Sequence, residues 1–246
     1  MFRINPLYTI SLFLLGIFLY SCSTPETSTA TEQAVEEIAA GEELEIVQRP
    51  IPFGPTRKIL SLSYIKSHHD LDWQEPIIDP KVVVVHHTAI PTLEGTCAAF
   101  DPETLKGRAD IATASSLNVG IQYVVDQDGT IYQTLPDTVF ARHIIGLNWC
   151  SIGIENVGGT AETPLTEAQL ESNIKLIAQL AEKHDIEYMI GHDEYKAFKL
   201  TKHPLWKELD PNYFTEKNDP GPEFMAGLRE ALADLALKGP PVVEGE

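Results

Sequence analysis

Three segments of the chain place chemistry-bearing side chains at the ends of apolar runs. "VVVVHH" delivers His86 and His87, "IEYMIGH" ends on His192, and "TEKNDPGP" sets Asp219 in a sharp turn two residues after Lys217. Imidazoles are expensive to bury without partners, and residues at strand ends point into the crevice where sheets hold ligands. Two histidines and one carboxylate leave a coordination position open, as catalytic zinc sites do. A divalent ion there would bring the pKa of a bound water to about 7 and polarise a carbonyl. Glu155, near the end of "SIGIE", could serve as the base, and Lys217 could face a developing oxyanion. Residue types and spacing alone leave a second reading beside this one: strand ends whose histidines simply reach water.

The other histidines divide by context. His143, in "ARHIIG", stands just before the strand "SIGIE" and joins the candidates. Adjacent strand residues face opposite sides, so His87 is expected in the wall beside the centre rather than on the ion. His68 and His69 lie in a polar stretch and read as surface. His184, between Lys183 and Asp185, reads as a partner for a helix C-terminus. His203 is a rival ligand to Asp219.

The elements that must position these residues follow from the apolar pattern. "VVVVHH" is a continuous buried strand. "GIQYVVDQDGTIYQTL" reads as two strands around Asp128-Gly129, a hairpin signal. "SIGIENV" and "IEYMIGH" are further strands. Thr166 with Gln169 forms a capping box, and Leu170, Ile174, Ile177 and Ala181 then share one helix face ending near His184. Pro222 opens a second helix with Phe224, Leu228, Leu232 and Leu235 as its stripe. "TCAAFDPETLKGRADIATASS" predicts one helix with a loop. The expected fold is α/β, a mixed central β-sheet flanked by α-helices, in a single domain over residues 56–240.

The segments "VVVVHHTA", "QYVVDQDGTIYQTLPD", "ARHIIGLNWCSIGIENVGG", "IGHDEY" and "KNDPGP", in that order, resemble the zinc-dependent N-acetylmuramoyl-L-alanine amidases. This is the amidase type shared with peptidoglycan recognition proteins, and the muropeptide-recycling branch is the nearest in motif. The resemblance covers roughly residues 80 to 230. It implies one zinc ion held by His86, His192 and Asp219, with Glu155 as base and Lys217 at the oxyanion. It places His143 in the substrate groove and matches Asn148 to an asparagine shortly before the same strand. The implied reaction is hydrolysis of the amide between N-acetylmuramic acid and L-alanine, in peptidoglycan or muropeptides, during wall turnover. The alternative is a module that binds peptidoglycan without cutting it, which in such proteins accompanies loss of a zinc ligand. Two departures stand out. Ile121 occupies the position where some relatives carry a catalytic tyrosine, leaving the base role to Glu155. His192 and Asp219 are also farther apart than in close relatives, with "EYKAFKLTKHPLWKELDPNYFTE" between them; Trp206 and Tyr213 in it are expected to frame a substrate wall.

The start of the chain reads differently. Residues 1–22 carry Arg3, a short apolar run and "LYSC", a lipoprotein signal pattern with Cys22 as the lipidated residue. Residues 23–55 are expected to form a flexible acidic tether, since their Ser, Thr, Glu and Ala content offers little to bury. The chain is therefore expected to be exported and lipid-anchored at the bacterial cell envelope, on the periplasmic face of a membrane, as a monomer. With Cys22 lipidated, an oxidising compartment would allow Cys97 and Cys150 to pair. A net charge of −18 argues against nucleic acid, because no basic stripe meets phosphates.

Overall fold

The computed structural model describes residues 44–243. The signal pattern, Cys22 and the tether as far as residue 43 lie outside the described residues. Among the described residues no helix is long and apolar enough to cross a membrane.

A six-stranded mixed sheet organises the domain. Its strands are β1 (Ile46–Gln48), β2 (Val82–His87), β3 (Tyr123–Val125), β4 (Ile131–Gln133), β5 (Ser151–Asn156) and β6 (Tyr188–Gly191), in the order β1-β4-β3-β5-β2-β6. Only β3 and β4 pair antiparallel, around the hairpin turn where Gly129 takes φ +88. The pairings β3–β5, β5–β2, β2–β6 and β1–β4 are parallel. One row of partners runs straight across five strands: Ile46, Ile131, Val125, Asn156 and His87. The sheet end where β2, β5 and β6 finish is thus also the end where β1 begins.

The four valines of β2 are fully buried because the strand is covered on both faces. Alternation divides them. Val82 and Val84 pack with Tyr64, Ile65, Tyr195 and Phe198, whereas Val83 and Val85 pack with Ile174, Ile177 and Leu228. The second layer contains α4 (Glu167–Lys183) and α6 (Pro222–Ala231), both expected, with the Thr166–Gln169 capping box formed; the short α5 (Lys196–Leu200) lies between them in the chain. The segment expected as one helix with a loop holds two short ones, α2 (Leu93–Phe100) and α3 (Ala109–Ala112).

Two expectations need correcting, and one pairing the sequence left open is not formed. The tether does not run to residue 55: β1 joins the sheet edge, and Ile51 is buried against Ile121 and Leu135. Next, α1 (Pro55–His69) has no counterpart in the sequence reading. Its inward positions are Arg57, Ser61, Tyr64, Ile65, His68 and His69, so the buried stripe is largely polar and leaves no apolar periodicity to find. For the same reason His68 and His69 are not surface residues. His68 Nδ1 lies 2.9 Å from Glu208 Oε1, and His69 Nδ1 lies 2.5 Å from the Lys207 carbonyl. Both carriers belong to the segment between His192 and Asp219, which packs onto α1. Finally, Cys97 and Cys150 are free and separately buried; Cys150 sits in the core and Cys97 accepts a hydrogen bond from Arg49 Nε.

Candidate metal centre

His86, Glu155 and His192 share one face of the sheet. Alternation puts His86 on the side of Val82 and Val84, and His192 on the side of Tyr188 and Ile190. Glu155 is the register partner of His86 on β5. Asp219 arrives from the far loop, where it precedes Pro220 across a cis peptide bond. Its carbonyl accepts a hydrogen bond from Asp193 N at 3.2 Å, which joins the two ligand-bearing loops. The His192 turn is pinned further by Glu194, which accepts from Gly191 N and pairs with Arg229 of α6.

The three expected ligands converge. His86 Nδ1 and His192 Nδ1 are 2.9 Å apart, His192 Nδ1 and Asp219 Oδ2 are 3.0 Å apart, and His86 Nδ1 and Asp219 Oδ2 are 3.3 Å apart. Donor atoms around a tetrahedral zinc are separated by about 3.3 Å, given bonds near 2 Å. All three residues are buried, and they form the one His/Cys/Asp/Glu group of metal-binding spacing among the described residues. The donor set fits a divalent ion.

Electrostatics agree with the geometry. Burial drives the His86 pKa down to about 4, assisted by His192, which keeps the imidazole neutral and its lone pair available. Burial also lowers His192 and His143. For Asp219 burial acts upward, but hydrogen bonds from His192 and His86 outweigh it and hold the carboxyl well below the usual carboxylate range. Glu155 goes the other way: burial and then Asp219 push it well above that range, with Lys217 and Arg108 opposing. Its Oε2 is buried and has no protein partner.

His143 takes a place the sequence did not specify. It lines the cavity, yet its Nδ1 is 3.0 Å from His86 Nε2. With His86 Nδ1 turned to the ligand cluster, His86 Nε2–H donates to His143, whose own Nε2 faces Ser151 Oγ at 3.3 Å and the Ser151 carbonyl at 3.5 Å. This chain fixes the His86 tautomer. Gly153 makes room for it: a Cβ there would stand 2.2 Å from Ile121 Cδ1 and 2.8 Å from His143 Nδ1. Ile121 itself is fully buried and presents no hydroxyl. Asn148 is turned inward; its Oδ1 accepts from His143 N and Ile144 N, and its Nδ2 donates to Tyr64 Oη.

The cavity over the centre has a volume of about 180 Å³, and Lys217, Glu155, His87, Tyr213 and Arg108 line it. Lys217 is therefore gathered with the ligands, and His87 lies in the wall as expected. His203 is no ligand: its Nε2 meets Tyr188 Oη at 3.1 Å and its Nδ1 accepts from Leu205 N. Tyr213 reaches the cavity, whereas Trp206 packs over Gly146 and stacks on Tyr195, away from the lining. Two charged lining residues escaped the sequence reading. Arg142 had a signal, a charge wedged between apolar neighbours in "FARHII"; Arg108, in a polar loop, had none.

A family model described as N-acetylmuramoyl-L-alanine amidase matches residues 76–222, more than half of the chain. The chain belongs to that family. The amidase domain thus spans every ligand named above and the pocket around them. Among solved structures, the amidase is similar to the N-acetylmuramoyl-L-alanine amidase LysC from Clostridium intestinale URNW, at 20% identity and TM-score 0.45, covering 80% of this chain and 100% of that one. It is similar to a selenomethionine AmpD derivative at 22% identity and TM-score 0.47, covering 78% and 96%. Human PGRP-IBETAC, solved with a glycosamyl muramyl pentapeptide, is 20% identical with TM-score 0.41, covering 59% and 80%. No curated protein matches the amidase.

Proposed function

We propose that this amidase is zinc-dependent and hydrolyses the amide between the lactyl group of N-acetylmuramic acid and L-alanine, in peptidoglycan or muropeptides, during cell wall turnover. The observation that carries the proposal is the convergence of His86 Nδ1, His192 Nδ1 and Asp219 Oδ2 beside the unpartnered carboxylate oxygen of Glu155. His86, His192 and Asp219 would hold the zinc ion, which when bound would supply a Lewis acid for the amide carbonyl and lower the pKa of water. Glu155 takes the proton of the attacking water as its oxygen bonds to the carbonyl carbon. The Lys217 ammonium faces the negative charge that gathers on the carbonyl oxygen. Glu155 then returns the proton to the alanine nitrogen as the C–N bond breaks. The products are a lactyl carboxylate and a peptide with a free amino terminus.

Binding without cleavage finds no support in the ligand set, since all three donors are present. The deciding experiment is mass spectrometry of N-acetylmuramoyl peptides incubated with purified protein. Release of L-alanine-terminated peptide, abolished by a chelator and restored by zinc, is expected. Intact substrate with zinc-loaded protein would overturn the reading. Export, lipidation of Cys22 and anchorage at the envelope remain part of the proposal, supported by the sequence pattern of residues 1–22.

A further inference from the structure

In a chain with 36 acidic and 18 Lys and Arg residues, one stretch reverses the balance. Residues 195–207 carry Lys196, Lys199, Lys202 and Lys207 and no Asp or Glu. They comprise α5, the turn after it, where Lys202 takes φ +52, and the chain as far as Lys207. Lys202 is exposed, and its ammonium pairs with no carboxylate among the described residues. Leu200, at the end of α5, is 63% exposed in the midst of these charges.

The surroundings hold these lysines in place. Lys196 Nζ lies 5.4 Å and Lys199 Nζ 5.3 Å from the centroid of the Phe214 ring, within cation–π range. Lys199 Nζ also donates to the Pro211 carbonyl at 3.2 Å, and Lys207 Nζ lies 5.0 Å from the Trp149 ring. The acids adjoining the stretch do not cancel it. Glu194 pairs with Arg229, and Glu208 is buried against His68. Glu216 pairs with Lys196, and Asp210 accepts from Asn212 N, so two exposed carboxylates flank four lysines. The patch adjoins the cavity without lining it. Tyr213 and Thr215, on either side of Phe214, belong to the cavity wall, whereas none of residues 195–207 does.

The proposed substrate is itself anionic. The lactyl carboxyl is consumed in the scissile amide and N-acetylated sugars are neutral, so the free carboxylates lie on the peptides, and the polymer presents them stem after stem. A protein of net charge −18 is repelled by such a polymer except where its local charge is reversed. Opposite charges there act over about 10 Å at 0.1 M salt. We infer that residues 196–207 form an interaction surface for the stem-peptide carboxylates of polymeric peptidoglycan, binding stems that neighbour the one in the cavity. A single-stem fragment fills the cavity without reaching this surface, so the device favours the polymer over soluble fragments. Continuity with the cavity wall through Phe214 favours the polymer over an anionic bilayer as occupant. The inference rests on the amidase reading given above.

The test compares zinc-loaded full-length protein with Lys202→Gln and with the double variant Lys199→Glu, Lys202→Glu. Binding is measured by co-sedimentation with purified sacculi at low and high ionic strength, each protein also carrying Glu155→Gln so that the polymer stays intact. Cleavage is measured without that change, on sacculi and on a soluble single-stem muropeptide. The wild-type surface is expected to bind at low salt and release at high salt. The double variant should bind about fivefold or more weakly, as reversal of two exposed charges would give, with Lys202→Gln between them. Cleavage of sacculi should fall in step, while the rate on the soluble muropeptide and the Tm stay unchanged. Equal binding by wild type and double variant overturns the inference, as does undiminished binding to sacculi whose carboxylates have been amidated. Equal losses on sacculi and soluble muropeptide would make the lysines supports of the cavity wall instead. Capture by phosphatidylglycerol vesicles that the double variant loses, with sacculus binding unchanged, would make the surface a membrane contact. If the zinc-loaded wild type cleaves neither substrate, the amidase reading fails, and sedimentation still decides whether this surface binds the polymer.

Discussion

At Glu155 and Lys217 the chemistry can be separated from metal binding. Glu155 touches none of the ligand atoms through a hydrogen bond, and its buried Oε2 has no protein partner. We expect Glu155→Gln to retain zinc and lose about 10²- to 10⁴-fold in kcat, the usual worth of a positioned base; an unchanged rate in a zinc-replete sample would refute the assignment. Lys217→Ala should lower kcat by roughly 10²-fold with little change in KM, as loss of an oxyanion donor does. Asn148 behaves differently. Its carboxamide caps two backbone amides and meets Tyr64, so Asn148→Ala should destabilise the fold by about 2 kcal/mol or more, measured by denaturant unfolding. The ligands were legible because each ends an apolar run or precedes a proline turn. The tie from His143 to His86 was not, since no spacing tells which residue of a loop will meet an imidazole from another strand.

At the scale of elements, α1 and the segment after His192 stabilise each other through two histidines with opposite pH responses. Burial disfavours charged His68, but the hydrogen bond and charge of Glu208 outweigh it and raise the pKa above the ordinary 6.5. That contribution is complete below pH 6.5 and disappears as pH rises through the raised value. His69 is lowered by burial to about 4, so protonation opposes folding as pH drops from 6.5 towards 4. The penalty reaches roughly 3 kcal/mol at 1.36 kcal/mol per unit. Their joint effect is a stability optimum near pH 6.5. Unfolding free energies at pH 5, 6.5 and 8 should show His69→Gln flattening the acid side and His68→Gln the basic side; parallel curves for all three proteins would contradict this. The sheet was readable from its apolar runs, and α4 from its capping box. The first helix was not, because its inward face carries Arg57, Ser61, His68 and His69 beside Tyr64 and Ile65 rather than a leucine stripe, and β1 is too short to show alternation.

For the molecule as a whole, the centre links metal content to folding. The donor atoms of His86, His192 and Asp219 meet only in the folded chain, so a bound ion adds to stability, by about 4 kcal/mol at a thousandfold excess over Kd. Chelation should therefore lower Tm and zinc should restore it, whereas a His86→Ala, His192→Ala double variant should show no zinc-dependent shift. Equal zinc responses in the two proteins would mean that the ion binds elsewhere. The row of partners from Ile46 to His87 has a spatial meaning too. Strands lie about 4.8 Å apart, so four steps set the chain's point of entry roughly 19 Å from the catalytic rim, at the same end of the sheet. Ile46, where the described chain enters the sheet, and the metal centre therefore share one end of the sheet, four strands apart.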